Sequence, residues 1–432
     1  MLIYNCCGEI MKFYIYTLGC KVNTYESQVI KDKLIDAGYT EGTRDDADIF
    51  VVNTCTVTNT SDNKSLKMVR HIKKNNPESI CVVVGCMTQV NSKYLDDLDV
   101  SIILGNKGKS DIVKYIEEYK KNRKQIKIID PNVNTKFEDM CLSTFDKNRA
   151  FVKIEDGCEN FCTYCIIPYA RGKVRSKEPN KVIEEIKSLV DNGHKEIVLT
   201  GIHTGHYGAD LDYTFPELLR DIEKIDKLER LRISSIEITE LDDEFMGVLK
   251  NSKIIVDHLH IPLQSGSDEI LKLMNRKYDK KYFINKIEEI RKIRPNISIT
   301  TDVIVGFPGE SQELFNETIE TIKKINFSKI HVFPFSLRDG TKAQDLPNHL
   351  DGTTKKQRCK VLLDLSKELE INYFNRFVNK EVSFIPEMYK DGYITGHTGN
   401  YLLIKTKGNI KDLNKIKSIT IKRVEYPYCI GE

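Results

Sequence analysis

Tryptophan is absent from this 432-residue chain, and that gap by itself carries no functional information. Other absences exclude more. No apolar run reaches the roughly 18 residues that a bilayer-spanning helix needs, so no transmembrane segment and no membrane partner are expected. Residues 1–10, MLIYNCCGEI, lack a basic start and a small-residue cleavage site. No secretory signal is read there, and a cytoplasmic location is expected. A clean strand begins only after Met11, so these residues read as an extension. The net charge is only +3, from 66 Lys+Arg against 63 Asp+Glu. That excludes a histone-like polycation and an acidic disordered tail. Apolar residues at 40% and charged residues at 30% are ordinary for a globular protein. At roughly 150 residues per domain, the length suggests about three domains.

Cysteine breaks the bland profile. There are twelve. Without an export signal they read as thiols kept reduced, not as a disulfide framework. Their positions therefore need another explanation.

Residues 12–121 alternate short apolar runs with amphipathic stretches. KFYIYTLGC (12–20), ADIFVVNTC (47–55), SICVVVGC (79–86) and VSIILGN (100–106) read as strands, with helices near 24–37, 61–74 and 111–121. Unalternating apolar strands separated by helices predict a parallel sheet covered on both faces. Residues 122–148 are polar, contain Pro131 and read as an irregular linker. From 149 to 352 the alternation resumes. Six strand candidates, at 151–155, 196–201, 231–235, 258–263, 297–306 and 329–335, suggest a partial (β/α)6 barrel or an open parallel sheet. A connecting helix is expected over 353–379. Residues 380–432 change to short alternating strands broken by Gly, Asp and Asn, which suggests a small antiparallel β-barrel. The fold class is therefore α/β, with an all-β tail. From residue 371 on, ten Lys+Arg face six Asp+Glu, so the basic excess of the chain sits on this tail. A polyanion partner is consistent with that balance.

Cys158, Cys162 and Cys165 lie in DGCENFCTYCIIPYARG, directly after the first strand of the six-fold unit. Three thiolates on one loop can hold three irons of a 4Fe–4S cube, leaving the fourth iron open to a small molecule. Zinc is the competing reading. A closed zinc site wants a fourth ligand, and no Cys or His follows nearby. A second set is dispersed. Cys20, Cys55 and Cys86 each end one of the first three strands. Strand carboxyl ends in a parallel sheet share one edge, where ligands bind. Three cysteines far apart in sequence thus converge, and a second cluster is expected. Buried structural cysteine is the bland alternative. Cys81, at the start of its strand, should be such a core residue. Cys6, Cys7, Cys141, Cys359 and Cys429 fit neither set and receive no ligand role.

The triplet, with Tyr164 just before its third cysteine, resembles the radical S-adenosylmethionine signature. The whole pattern from about residue 12 resembles the methylthiotransferase family. That family has an N-terminal three-cysteine cluster domain, a radical domain and a C-terminal TRAM domain. GCKVNTYES (19–27), VNTCTVTNTSD (52–62), GCENFCTYCIIPYARG (157–172), HLHIPLQSGSDEILKLMNRKY (258–278) and TDVIVGFPGES (301–311) carry the resemblance. They look most like the branch acting on N6-threonylcarbamoyladenosine at tRNA position 37. The isopentenyladenosine branch more often shows Gln-Met where this chain has Lys21-Val22.

The resemblance implies two 4Fe–4S clusters, one on each cysteine trio, and S-adenosylmethionine used twice. One molecule gives a methyl group to sulfur; another gives a radical. The implied target is C2 of adenine, whose hydrogen no base of ordinary pKa removes, so a radical route fits. Tyr164, Thr200, Gly201 and Gly306 are the implied cofactor-binding positions. Thr200 and Gly201 end the second strand in LTGIHTG (199–205), and Gly306 ends the fifth. Turn-forming glycine is the alternative for Gly201 and Gly306. The partners implied are the anticodon loop of tRNA, an electron donor and a sulfur source. An unpaired loop nucleotide can be splayed out at low cost. Arg171 and Arg175, after the triplet, and Lys405, Lys407, Lys422 and Arg423 on the tail are expected to meet tRNA phosphates. Two enzyme alternatives stay open, on isopentenyladenosine or on a ribosomal protein aspartate. So does a non-enzymatic iron–sulfur RNA-binding protein.

Overall fold

Ile49, Val51, Val82 and Val84 point to one side of their strands, and Phe50, Val52, Cys81 and Val83 to the other, as the two-residue strand period requires. Both sets are buried, so this sheet needs helices on both faces. The computed structural model, which describes residues 10–130 and 136–432, supplies them. Six strands run in the order Thr40–Glu41, Lys12–Thr17, Ile49–Thr54, Ile80–Gly85, Ile102–Leu104 and Ile126–Ile128, all parallel. Helices Lys21–Asp36 and Ile112–Asn122 cover one face. Asn59–Asn75 and Cys86–Asn91 cover the other. The strand Ile126–Ile128 falls in a segment expected to be irregular. It is a three-residue edge strand, too short to show a period. Cys81 is core, as expected, and burial pushes its thiol up to about 12. Cys6, Cys7 and Pro131 lie outside the described residues.

Helix Lys21–Asp36 is buried on two sides. Ile30 and Leu34 join the N-terminal core, while Tyr25 and Val29 join the central one. The Tyr25 hydroxyl bonds the Met140 carbonyl and the Glu185 carboxylate, both at 2.8 Å. A helix apolar on both faces belongs between two layers.

The central unit has six parallel strands in two three-stranded sheets: Arg149–Lys153, Glu196–Thr200 and Arg230–Ile233, then His258–His260, Ser298–Val305 and Lys329–Pro334. Bridges Leu231 to Ile255 and Ser235 to His260 join the two into one curved wall. This is the partial six-stranded barrel. The N-terminal helix Lys21–Asp36 packs along its first strand.

Helix Gly352–Asn375 crosses the last barrel strand, with Ser366 capping the Ile330 amide at 2.9 Å. It leads into a closed five-stranded barrel, Glu381–Lys390, Tyr393–Thr398, Leu403–Lys407, Lys417–Glu425 and Tyr428–Gly431. The barrel closes through a parallel pair, Ile404 with Cys429, so it is not wholly antiparallel. Among the described residues no helix is long and apolar enough to cross a membrane.

Candidate active site

The radical-type triplet sits on a loop that sequence and packing hold rigid. Gly157 has φ +98°, and a Cβ there would stand 2.0 Å from the Lys173 carbonyl oxygen, so only glycine fits. The Cys158 amide donates to the Gly172 carbonyl at 3.0 Å. The Thr163 amide and hydroxyl donate to the carbonyls of Met274 and Leu273. Arg276 donates to Cys162 Sγ at 3.3 Å and pairs with Glu237. His203 stands behind Cys158, Nδ1 to Sγ 3.8 Å, and pairs with Glu240. Burial pushes the Cys158 thiol up, and the neighbouring thiols add to the rise. A bare thiolate is thus disfavoured here, and a metal that takes the proton's place removes the conflict.

The dispersed cysteines meet as the parallel sheet requires. Cys20 is the N-cap of helix Lys21–Asp36, Cys55 follows strand Ile49–Thr54, and Cys86 opens helix Cys86–Asn91. Two helix N-termini therefore meet the trio, while burial raises the Cys20 thiol. Gly19, at φ +102°, brings its loop against Cys55: a Cβ would lie 2.7 Å from Cys55 Cβ. Cys86 Sγ accepts from Arg171 Nε at 3.3 Å and Asn106 Nδ2 at 3.6 Å. Cys55 is buried, which with the charges of Cys86 and Cys20 brings its thiol to about 11.

Both cysteine sets offer sulfur donors alone. A tetrahedral zinc with Zn–S of about 2.3 Å holds its sulfurs about 3.8 Å apart. Among the described residues, the group of three potential ligand atoms that closes to within 4.8 Å is His203, His206 and Glu240, and neither cysteine trio closes so far. Three thiols on each set leave one corner of a 4Fe–4S cube open, whereas a closed zinc site wants four ligands. The ten described cysteines are all free.

A cleft of about 220 Å³ lies beside the triplet. Val57 and Thr58, just past Cys55, form one wall. Tyr164 and Cys165 form another, and Gln264, Asp302 and Ile304 line the barrel side. Tyr164 thus walls the cleft beside the triplet. Thr200 is buried, and its carbonyl accepts from the Ile154 amide. A Cβ on Gly201 would press on the Glu155 carboxylate, which accepts the amides of Ile202 and His203. Gly306 serves the turn: φ is +71°, its amide is taken by Glu310 at 2.7 Å, and a Cβ would strike Lys355.

The expectation for Arg171 and Arg175 is corrected. Arg171 is 0% exposed and Arg175 7%, so neither presents a charge to a tRNA phosphate. Arg171 reaches Glu26, Asp156 and Asn23 at 3.0, 3.0 and 2.9 Å. Arg175 donates to the Arg171 carbonyl at 2.8 Å. Their desolvation is offset by buried carboxylates instead. Lys109 and Lys153 complete this network, with Lys153 to Glu26 at 2.8 Å and to Asp156 at 2.7 Å. Burial pushes Glu26 up, but Arg171, Lys109 and Lys153 outweigh it and hold the carboxyl below its usual range. Arg338 makes a second junction, bonding Thr56 and Asp62 beside Cys55, both at 2.6 Å. Sequence reasoning singled out only Arg171 and Arg175 among these residues, and both in another role. On the tail, Lys407 and Lys422 are exposed, Lys405 lies 4.9 Å over the Tyr393 ring, and Arg423 pairs with Glu425.

Comparison with known proteins agrees with this geometry. Residues 152–322 match the Radical SAM superfamily, and residues 12–105 match an uncharacterized protein family, UPF0004. The chain is 41% identical over 428 residues to the threonylcarbamoyladenosine tRNA methylthiotransferase MtaB of Bacillus subtilis, covering 96% of this chain and 95% of that one. The chain belongs to the radical S-adenosylmethionine methylthiotransferase family. A second methylthiotransferase MtaB, of Aquifex aeolicus, is 38% identical and is covered over its full length by 95% of this chain. The tRNA-2-methylthio-N(6)-dimethylallyladenosine synthase of Bacillus subtilis is 33% identical, over 98% of this chain and 86% of that one. The fold is also that of the radical S-adenosylmethionine methyltransferase TsrM of Kitasatospora setae, at TM-score 0.56, 14% identity and 77% coverage of each chain.

Proposed function

We propose that this methylthiotransferase inserts a methylthio group at C2 of N6-threonylcarbamoyladenosine at position 37 of tRNA. The observation that carries the reading is a cleft between Cys165 of the triplet and Val57 and Thr58 of the N-terminal domain, in a chain 41% identical over nearly its whole length to a threonylcarbamoyladenosine tRNA methylthiotransferase. Cys158, Cys162 and Cys165 would hold one 4Fe–4S cluster, and Cys20, Cys55 and Cys86 the other. With S-adenosylmethionine these groups would supply the radical and sulfur-transfer chemistry. The chain's own residues do the positioning. Arg276 and Arg171 set a positive charge against one sulfur of each trio. Tyr164, Phe333 and Phe335 wall the cleft with apolar surface that excludes water from a reactive radical. The splayed base enters this cleft while exposed Lys407 and Lys422 of the tail hold the backbone. An electron donor and a sulfur source are further partners of the cycle.

The test is nucleoside mass analysis of tRNA from cells lacking the protein, paired with assay of the anaerobically reconstituted enzyme. The 2-methylthio form of threonylcarbamoyladenosine should vanish, and tRNA lacking the threonylcarbamoyl group should be inert. Exchange of Cys20 for alanine should stop sulfur insertion and spare cofactor cleavage at the other trio. Loss of 2-methylthio isopentenyladenosine instead would reassign the substrate.

A further inference from the structure

Beneath the cleft, the barrel interior and the C-terminal domain enclose a second cavity of about 360 Å³. Strand alternation aims Arg232, His258 and Thr300 into it, Lys21 reaches it from the helix that Cys20 caps, and Tyr401 closes it from the tail. Its charges do not balance. Arg232 is 1% exposed, yet neither of its terminal nitrogens has a hydrogen-bond partner. Its Nε donates to Glu196 at 2.7 Å, but Arg230 draws on the same carboxylate at 3.6 Å. Tyr401 stacks 4.0 Å from the guanidinium and satisfies no donor. Lys21 adds a second cation with no ion pair among the described residues. The acids nearby are taken: Glu370 by Lys329 at 2.9 Å, and Glu387 by His397 at 2.9 Å and Arg149 at 3.3 Å. His258 reports the same field. Burial, then Arg232, His260 and Lys21, hold it well below the usual imidazole range, and its Nδ1 is also unpartnered.

A buried guanidinium with two idle donors costs free energy unless an anion meets it. Its fork matches a carboxylate. The cavity and the cleft lie on either side of a shared contact: His260, in the wall of one, pairs with Asp302, in the wall of the other, at 3.2 Å. We propose that this cavity receives the amino-acid arm on N6 of the substrate adenosine, with Arg232 and Lys21 binding the free carboxylate of that arm. The proposal rests on the substrate reading above and deepens it. It makes Arg232 and Lys21 specificity-determining residues. An isoprenoid arm brings no anion and would leave the two terminal nitrogens of Arg232 without a partner, and sites built to bond a polar group reject analogues that lack it.

The test compares anaerobic holoenzyme bound to two full-length tRNAs. One carries N6-threonylcarbamoyladenosine; the other carries the same arm with its carboxylate capped as the methyl amide. The wild type should prefer the free carboxylate by about tenfold or more, as expected for hydrogen bonds to a charged group. Lys21→Gln, at an exposed position, and Arg232→Lys, which keeps the charge but loses the fork, should each reduce that preference severalfold. Lys21→Arg should retain it. Equal binding of both tRNAs by the wild type, or an undiminished preference in Lys21→Gln and Arg232→Lys, would overturn the proposal with the substrate intact. A wild type that methylthiolates only isopentenyladenosine would fail the functional reading first, and the proposal with it.

Discussion

Arg171 Nε stands 3.3 Å from Cys86 Sγ, and the same guanidinium reaches Glu26 at 3.0 Å. Cys86 and Glu26 belong to the N-terminal sheet domain and Arg171 to the triplet loop of the barrel. One side chain thus ties the two cysteine sets together through a dry ionic network.

Removal of that tie should be costly. Arg171→Met leaves Glu26 and Asp156 buried with one cation fewer. A buried pair broken on one side typically costs about 3–5 kcal/mol. Urea unfolding of the anaerobic protein should show a loss of that order. Adding Glu26→Gln should cost less than the sum of the single changes, because the two residues share one network. A loss under about 1 kcal/mol would show that the network does not join the domains.

Two glycines with nearly the same backbone should respond differently. Gly157 and Gly193 have φ +98° and +96°. A Cβ on Gly157 meets the Lys173 carbonyl at 2.0 Å, whereas nothing lies within 4 Å of one on Gly193. Gly193→Ala should cost about 1 kcal/mol, from backbone strain alone. Gly157→Ala should displace the triplet loop and cut iron loading by about half, as read by iron and sulfide analysis. Full iron content in Gly157→Ala would remove the argument for a rigid loop.

Acid should weaken the barrel through His258. Its folded pKa lies well below the ordinary 6.5, from burial first and neighbouring cations second. The unfolded chain therefore takes up a proton that the folded chain refuses. The stability attached to neutral His258 is whole above about pH 6.5 and declines as pH falls beneath it, by up to about 1.4 kcal/mol per pH unit. Thermal unfolding between pH 7.5 and 5.5 should show a shallower decline in His258→Asn. Burial lowers His194 and His331 as well, so some slope should remain. Identical slopes in both proteins would show that His258 is not held neutral.

The tail lysines should act through salt. Lys407→Ala and Lys422→Ala remove exposed cations from the C-terminal barrel. Each should weaken tRNA binding whether or not position 37 is modified. Each should also lower the salt-dependence slope by about 0.7–0.9 for every phosphate left without its cation. Unchanged slopes in both variants would take this face away from the nucleic acid.

Much of this molecule was legible before its structure. Apolar strands separated by helices specify a parallel sheet, and a parallel sheet brings Cys20, Cys55 and Cys86 to one edge however far apart they are in the chain. The triplet loop declares itself by local spacing. Short elements did not. Ile126–Ile128 and Tyr428–Gly431 span three and four residues, too few for a period to emerge. They are strands because a neighbour's unpaired backbone receives them.

Sequence alone determined the α/β architecture, the convergence of Cys20, Cys55 and Cys86, and the family, because each rests on local pattern or on a rule of sheet topology. Tertiary structure decided what the basic residues do. Arg171 and Glu26 are 145 positions apart, and Arg232 meets Tyr401 from a different domain. A guanidinium in water and one sealed against carboxylates are written with the same letter, and only burial, with the partners it enforces, separates a surface contact from a structural bond or an open anion site.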